Sequence, residues 1–309
     1  MIEVKSMIEA IIPVSNKEIS RRTIDRLQML LDSLNFFWSD FDPLRVHIVV
    51  PDSELDDITA SINEFSRYVK ISVFIKAESE ISPILGAAPN EFGVMKQMLV
   101  KLSSFSIVKS DYALLLDSDV VACKHFGYSD LVRNGRVVTE WLQPTLHEWW
   151  LESARVLGYD ITAKDLSVSR IFVTPQILCR SIVIPMLEEV ESHLHANWMT
   201  GLISEYSGIH PKIWTEYTLY DLFAERHGLR DKYHARQDEF ADCRLHCMAQ
   251  SLWGAKQFEG WDPSLAICGD LPGFFLVLQS ITAHSLDFDK VRSQWLAAVK
   301  RHHIDYNEH

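Results

Sequence analysis

The sequence predicts an α/β fold built on a mostly parallel sheet with helices on its faces. Three observations carry that expectation. Short apolar and β-branched runs recur in the first half, and segments with apolar residues at helical spacing separate them. These runs are apolar at nearly every position, as in strands covered on both faces, rather than at alternate positions. The fourth run, Tyr112 to Leu116, stops at Asp117-Ser118-Asp119, at the strand end where open α/β sheets bind ligands.

In order, Glu9 to Val14 is expected as the first strand, with Ser15-Asn16-Lys17 as a polar turn. Arg21 to Leu34 follows as a helix, since Ile24, Leu27, Leu30, Leu31 and Leu34 share one face. Val46 to Val50 is the second strand, closed by Pro51-Asp52. Residues 54–66 form a helix with Leu55, Ile58, Ile62 and Phe65 inward, and Ile71 to Ile75 is the third strand. Glu78 to Gly93 reads as a long polar loop bordering the active site. The next helix, Val94 to Ser106, turns Met95, Met98, Leu99 and Leu102 inward and puts Gln97 and Lys101 one turn apart on another face.

The second half is less regular. Val137-Val138-Thr139 reads as a short strand and Glu148 to Leu157 as a helix. Phe172-Val173-Thr174 is expected as a strand before Pro175, with a long helix over 176–196. Thr215 opens a helix reaching His227, Gly273 to Ser280 is a late apolar strand, and a helical tail runs from about Asp289. No repeat and no linker divides the 309 residues, so one domain is expected.

Apolar residues make up 47%, enough for a sizeable core. The formal net charge of -12 argues against general nucleic-acid binding and against broad adhesion to anionic membranes. The densest basic stretch, Arg226 to Arg236, reads as a solvated helix end and loop. No apolar run approaches the ~20 residues needed to cross a bilayer. Met1–Ala10 lacks the continuous apolar core of a signal peptide. A cytoplasmic protein, at most peripheral to membranes, is expected. The five cysteines are odd in number and irregularly spaced, as for reduced thiols. Cys243, His246 and Cys247 lie close together, but no second ligand pair has zinc-finger spacing, so structural zinc is not expected.

The chemistry centres on Asp117 and Asp119. Two carboxylates one residue apart at a buried strand end repel each other unless a cation sits between them. Mg²⁺ or Mn²⁺ takes oxygen ligands and keeps waters and substrate phosphates in its shell. Two other readings of the string stand beside this one. It fits a capped turn, with both carboxylates on backbone donors. It also fits the nucleophile motif of haloacid-dehalogenase-type phosphatases, although that motif sits on the first strand of their core and three βα units precede it here.

The succession IIPVSNKE, VHIVVPDSE, a helix carrying Gln97 and Lys101, and DYALLLDSDV resembles the nucleotide-binding half of GT-A glycosyltransferases. It most resembles a group of poorly characterised bacterial glycosyltransferase-like proteins that share a Q-x-x-x-K-L helix and a later W-[ST]-E-Y-x-L-Y segment, here Trp214 to Tyr220. The resemblance runs from about residue 8 to 285. It implies a GT-A fold with a nucleotide-binding half over 1–125, an acceptor and catalytic half over 126–288, and a helical tail over 289–309. It implies a nucleotide-sugar donor, a hydroxyl acceptor such as a glycan, and a role in bacterial glycan or surface polysaccharide synthesis. Pro13, Val14, Ser15 and Asp52 would line the nucleoside pocket. Asp117 would approach ribose and metal, with Ser118 beside it, and Asp119 would approach metal and diphosphate.

Glu216 stands one residue after the N-cap Thr215. It either complements the helix dipole or, as the resemblance implies, acts as the base of an inverting transfer. His284, beyond the late strand, is either an exposed histidine or a third metal ligand suited to Mn²⁺. Gln97 and Lys101 lie on an ordinary polar helix face or reach the donor diphosphate. Trp149 and Trp150, with Trp141, are core aromatics or a platform for the acceptor sugar, and Glu140 and His147 lie near them in sequence. A catalytically silent nucleotide-sugar-binding protein is the remaining alternative.

Overall fold

The computed structural model describes residues 7–14, 21–65, 68–89, 93–162, 165–206, 208–209, 212–236, 239, 244–279 and 288–307. Strand β1 (Ile8–Pro13), helix α1 (Arg21–Phe37), β2 (Leu44–Val50), α2 (Leu55–Phe65) and β3 (Ile71–Ala77) form the expected alternation. The stretch read as a long loop instead holds two short helices, α3 (Glu78–Ile81) and α4 (Pro83–Ala87). Ser82 separates them, extended, and its side chain accepts from the Ile84 N–H, with Pro83 opening the second helix. Then come α5 (Gly93–Leu102), α6 (Ser104–Ile107), β4 (Tyr112–Leu115), β5 (Val120–Ala122) and α7 (Tyr128–Leu131).

A hairpin follows, β6 (Val132–Arg133) and β7 (Arg136–Val137). Its turn residues Asn134 and Gly135 both have positive φ, 53° and 75°. Asn-Gly between apolar neighbours is the local signal for such a turn, so this hairpin replaces the single strand expected at 137–139. After α8 (His147–Leu157), the expected strand at 172–174 is absent. The strand is β8 (Gln176–Cys179), which starts just after Pro175, and α9 (Arg180–Leu194) begins only where β8 ends. The remaining elements are α10 (Trp198–Ser204), α11 (Glu216–Arg226), α12 (Arg230–Tyr233), α13 (Ser264–Ile267), β9 (Phe275–Val277) and α14 (Phe288–Asn307).

The main sheet has the order β3-β2-β1-β4-β8. The first four strands are parallel, and β8 runs antiparallel to β4, with Leu115 opposite Gln176. Chain order moves outward from β1 to β3 and then returns to the other side of β1. The crevice between the carboxyl ends of β1 and β4 is therefore the topological switch point, where such sheets take ligands. β5 pairs antiparallel with β9 in a second, two-stranded sheet just beyond that crevice.

The opposite end of the sheet is tied by Glu9, buried in β1. Its carboxylate accepts from Arg45 Nε (3.0 Å) and from the N–H groups of Lys109 (2.8 Å) and Ser110 (3.1 Å), and lies 2.8 Å from His47 Nε2. Burial alone would raise its pKa; the His47 contact and the two amides outweigh burial and hold it at about 2. One hydrophobic cluster reaches from Ile8 to Ala298 and includes residues of every strand from β1 to β9. Among the described residues no helix is long and apolar enough to cross a membrane.

Candidate active site

Ala113 to Leu116 are fully buried, so the apolar run places Asp117 at the first point where the chain leaves the core. The turn is pinned on three sides. The Leu116 N–H donates to Ile11 O (3.0 Å), the Val120 N–H to Asp117 O (3.0 Å) and the Leu278 N–H to Asp119 O (2.7 Å). The Asp117 side chain keeps 31% exposure, while Asp119 is 9% exposed. Ser118 and Asp119 line a small crevice with Arg26, Met29, Leu278 and Phe288.

Lys101 comes to the same point from α5. Its Nζ lies 2.7 Å from Asp117 Oδ1 and 2.8 Å from Glu216 Oε1, with the side chain 6% exposed. The Tyr217 ring centroid is 5.0 Å away on another side. Burial alone would lower the Lys101 pKa; the two carboxylates outweigh it and push it up. Lys101 is thus a built part of the site, not a residue on a solvated helix face. The two aspartates are correspondingly not left to an external cation alone, because the chain itself supplies one positive charge to Asp117.

Glu216 owes its place to the first turn of α11. The Thr215 side chain accepts from the Thr218 N–H (3.3 Å), and the Thr215 N–H donates to Ser153 Oγ (3.2 Å) on α8. Glu216 itself is buried and turned to Lys101. The ion pair, rather than the helix dipole alone, accounts for a carboxylate at this depth.

The other expected site residues are placed as follows. Pro13 and Val14 are buried at the end of β1, and the Val14 N–H donates to Val49 O (2.9 Å). Ser15 and His284 lie outside the described residues, as does Cys243. Asp52 is exposed and accepts from the Ser79 N–H (3.1 Å) and from Ser79 Oγ, tying the end of β2 to α3. Gln97 is half-buried, one turn from Lys101. Trp149 is half-buried, but Trp150 is fully enclosed, with Phe172 edge-on at 5.8 Å and the Arg170 guanidinium over its ring at 5.1 Å. Its faces are occupied by the protein, and His147 is exposed at the start of α8.

Three buried charged groups beyond the ends of β2 and β3 escaped the sequence reading. Lys96, on α5, meets Glu78 at 2.6 Å, both buried, at the carboxyl end of β3. Glu54, just after β2, is also buried, and its pKa is raised to about 7 by burial and by Glu78 and Asp57. An acid just after β2, one just after β3 and a lysine on the same helix as Lys101 were the available signal, but nothing local marks such residues as buried.

Among the described residues no three His, Cys, Asp or Glu side chains converge as a metal cage. Asp117 and Asp119 are the donors that fit a hard dication, since Mg²⁺ or Mn²⁺ needs only one or two protein carboxylates when phosphates and waters complete its shell.

No curated protein matches this chain. Among solved structures it is similar to mouse xyloside xylosyltransferase 1 in its apo form, with a TM-score of 0.50 and 12% identity over 89% of this chain and 98% of that one. It is also similar to the apo WbbM bifunctional glycosyltransferase, with a TM-score of 0.48 and 11% identity over 89% of this chain and 46% of that one. At 12% identity the first likeness establishes the fold: a mixed α/β, mostly parallel sheet flanked by helices, as in a glycosyltransferase structure. The sequence matches the family of unknown function DUF6492 over residues 5–297, and the chain belongs to that family.

Proposed function

We propose that this chain is a metal-dependent glycosyltransferase that moves a sugar from a nucleoside diphosphate sugar to a hydroxyl acceptor. The observation that carries the reading is the meeting of Asp117, Lys101 and Glu216, from β4, α5 and α11, at the switch point between β1 and β4. The fold likeness is compatible with it. A haloacid-dehalogenase-like phosphatase is disfavoured, because its motif follows the first strand, whereas Asp117 follows the fourth, between parallel β1 and antiparallel β8.

In this reading Asp117 and Asp119 hold Mn²⁺ or Mg²⁺, with His284 as a further ligand. A cation held there would offset charge on the departing diphosphate. Pro13, Val14 and Ser15 floor the nucleoside end, with Asp52 at its rim, and Gln97 and Ser118 face the donor. Glu216 accepts the acceptor hydroxyl's proton through its second oxygen while Oε1 stays on Lys101. The acceptor oxygen bonds to the anomeric carbon as the bond to the phosphate oxygen breaks, and the configuration inverts. Trp149 borders the acceptor side. The described Cys123, Cys179 and Cys247 are buried and in no disulfide, which suits the reducing, cytoplasmic setting proposed here. A bacterial surface glycan as product rests on the family resemblance.

The test is a thermal-shift screen of UDP-, GDP- and CMP-sugars with and without Mn²⁺. One donor should stabilise the protein in a metal-dependent way, and Asp119→Ala should lose that increment. Wild-type stabilisation and turnover in Asp119→Ala would remove the metal assignment. Glu216→Gln should lower kcat by about 10²–10⁴ while donor affinity persists. A loss confined to donor binding would instead make Glu216 structural. Metal-dependent binding without transfer to any acceptor would favour a silent binding protein.

A further inference from the structure

We propose that Lys101 is a resident counter-charge that holds the divalent cation off Asp117 until a diphosphate arrives. The inference rests on the glycosyltransferase reading and adds an order of binding to it.

The structural grounds are geometric. Lys101 Nζ stands at nearly equal distances, 2.7 and 2.8 Å, from carboxylates on two different elements. It has the contacts of a bound cation: two anionic oxygens and the face of Tyr217. The ammonium is anchored as well as enclosed. Its helix buries Met95, Met98, Leu99 and Leu102, and Lys96, five residues earlier, is itself clamped to Glu78. Lys101 therefore does not leave as a surface lysine would.

A dication approaching Asp117 meets this fixed positive charge on the same carboxylate. The two cations repel in a setting that screens poorly. A diphosphate reverses the sign of the effect, since its charge attracts both cations at once. Metal alone should bind weakly, and metal with nucleotide strongly. By linkage, each ligand then raises the affinity of the other equally. Unproductive occupation of the site by free metal is limited by the chain itself.

The measurement is Mn²⁺ binding without nucleotide, followed by electron paramagnetic resonance or calorimetry. Lys101→Met should bind Mn²⁺ at least about tenfold tighter than wild type, whereas Lys101→Arg, which keeps the charge, should not. Lys101→Met leaves two carboxylates uncompensated and could lose its fold. The double variant Lys101→Met/Glu216→Gln removes one charge of each sign and guards against that. It should also bind Mn²⁺ tighter, because Asp117 and Asp119 remain and the ammonium is gone. If the folded single or double variant binds Mn²⁺ no tighter than wild type, the inference is overturned, even where wild type binds Mn²⁺ well beside UDP or GDP. If no form binds Mn²⁺ with either nucleotide, the glycosyltransferase reading falls and this inference falls with it.

Discussion

The hydroxyl of Tyr220 lies 2.7 Å from His234 Nε2 and accepts from the Cys179 N–H at 3.1 Å, while His234 Nδ1 lies 2.7 Å from Thr139 Oγ1. Thr139 Oγ1 gives its own proton to Val137 O. His234 must then donate through Nδ1 and accept through Nε2 from Tyr220, which leaves every atom of this buried chain satisfied. Tyr220→Phe would strand both His234 Nε2 and the Cys179 N–H. It should cost about 1–3 kcal/mol of stability in urea unfolding, and Mn²⁺ binding by the folded variant should not change. A cost near zero would mean that the chain is not closed in solution. At this scale the sequence told half the story of the site. Asp117 and Asp119 were readable because an apolar run of strand length ends on them. Lys101 was marked as a candidate from its place on the helix, but its ion pair was not legible, because the second partner, Glu216, lies 115 residues further on.

Elements were legible where their own residues decide their environment. β1, β2 and β4 are covered on both faces and read as unbroken apolar runs. β8 was lost for the same reason that it exists. Gln176 to Cys179 flow into α9 with no Gly, Asn or Asp between them, and short apolar runs carry no period that separates strand from helix. α11 was legible as a helix from its Thr215 cap, but its burial was not. Nine of its eleven residues, Glu216 to Ala224, are buried, with Glu216, Thr218, Tyr220 and Asp221 among them. Each of these four has a partner elsewhere in the fold: Lys101, Ser153, His234 and Arg170 respectively. A helix that is polar in sequence and buried in space is held by directional contacts. That fixes its register, and with it the position of Glu216 against Lys101. The same reasoning applies to α5, whose two lysines look solvated until Glu78, Asp117 and Glu216 are placed around them.

Across the whole molecule, the buried titratable groups set how stability depends on pH. His234 and His246 are fully buried, and desolvation lowers their pKa values to about 3 and about 4. The unfolded chain takes up their protons below about pH 6.5 while the folded chain does not, so these groups remove stability as pH falls. Glu54 and Glu140 act oppositely. Burial raises both to about 7, so the folded protein takes up these protons first and gains stability as pH falls from 7 towards 4.5. Among these four groups two losses and two gains oppose each other between about pH 4.5 and 6.5, so their contributions should largely cancel there. Below 4.5 the gains are exhausted. Glu9, held at about 2, then joins the histidines, and stability should fall steeply. Glu140→Gln isolates one of these contributions. Glu140 is 1% exposed, and its carboxylate accepts from the His246 N–H, a bond that the amide oxygen of Gln can keep. At pH 8 the variant escapes the desolvation of a buried charge and should be more stable than wild type, on the order of 3 kcal/mol. That advantage should shrink as pH falls from 7 to 4.5, where folded Glu140 is protonated and the unfolded carboxyl is about half so. Urea unfolding of both proteins at pH 8, 6 and 4.5 measures it. A difference independent of pH would mean that the Glu140 carboxyl titrates at its ordinary value, and the balance among these four groups would then tilt towards the histidines.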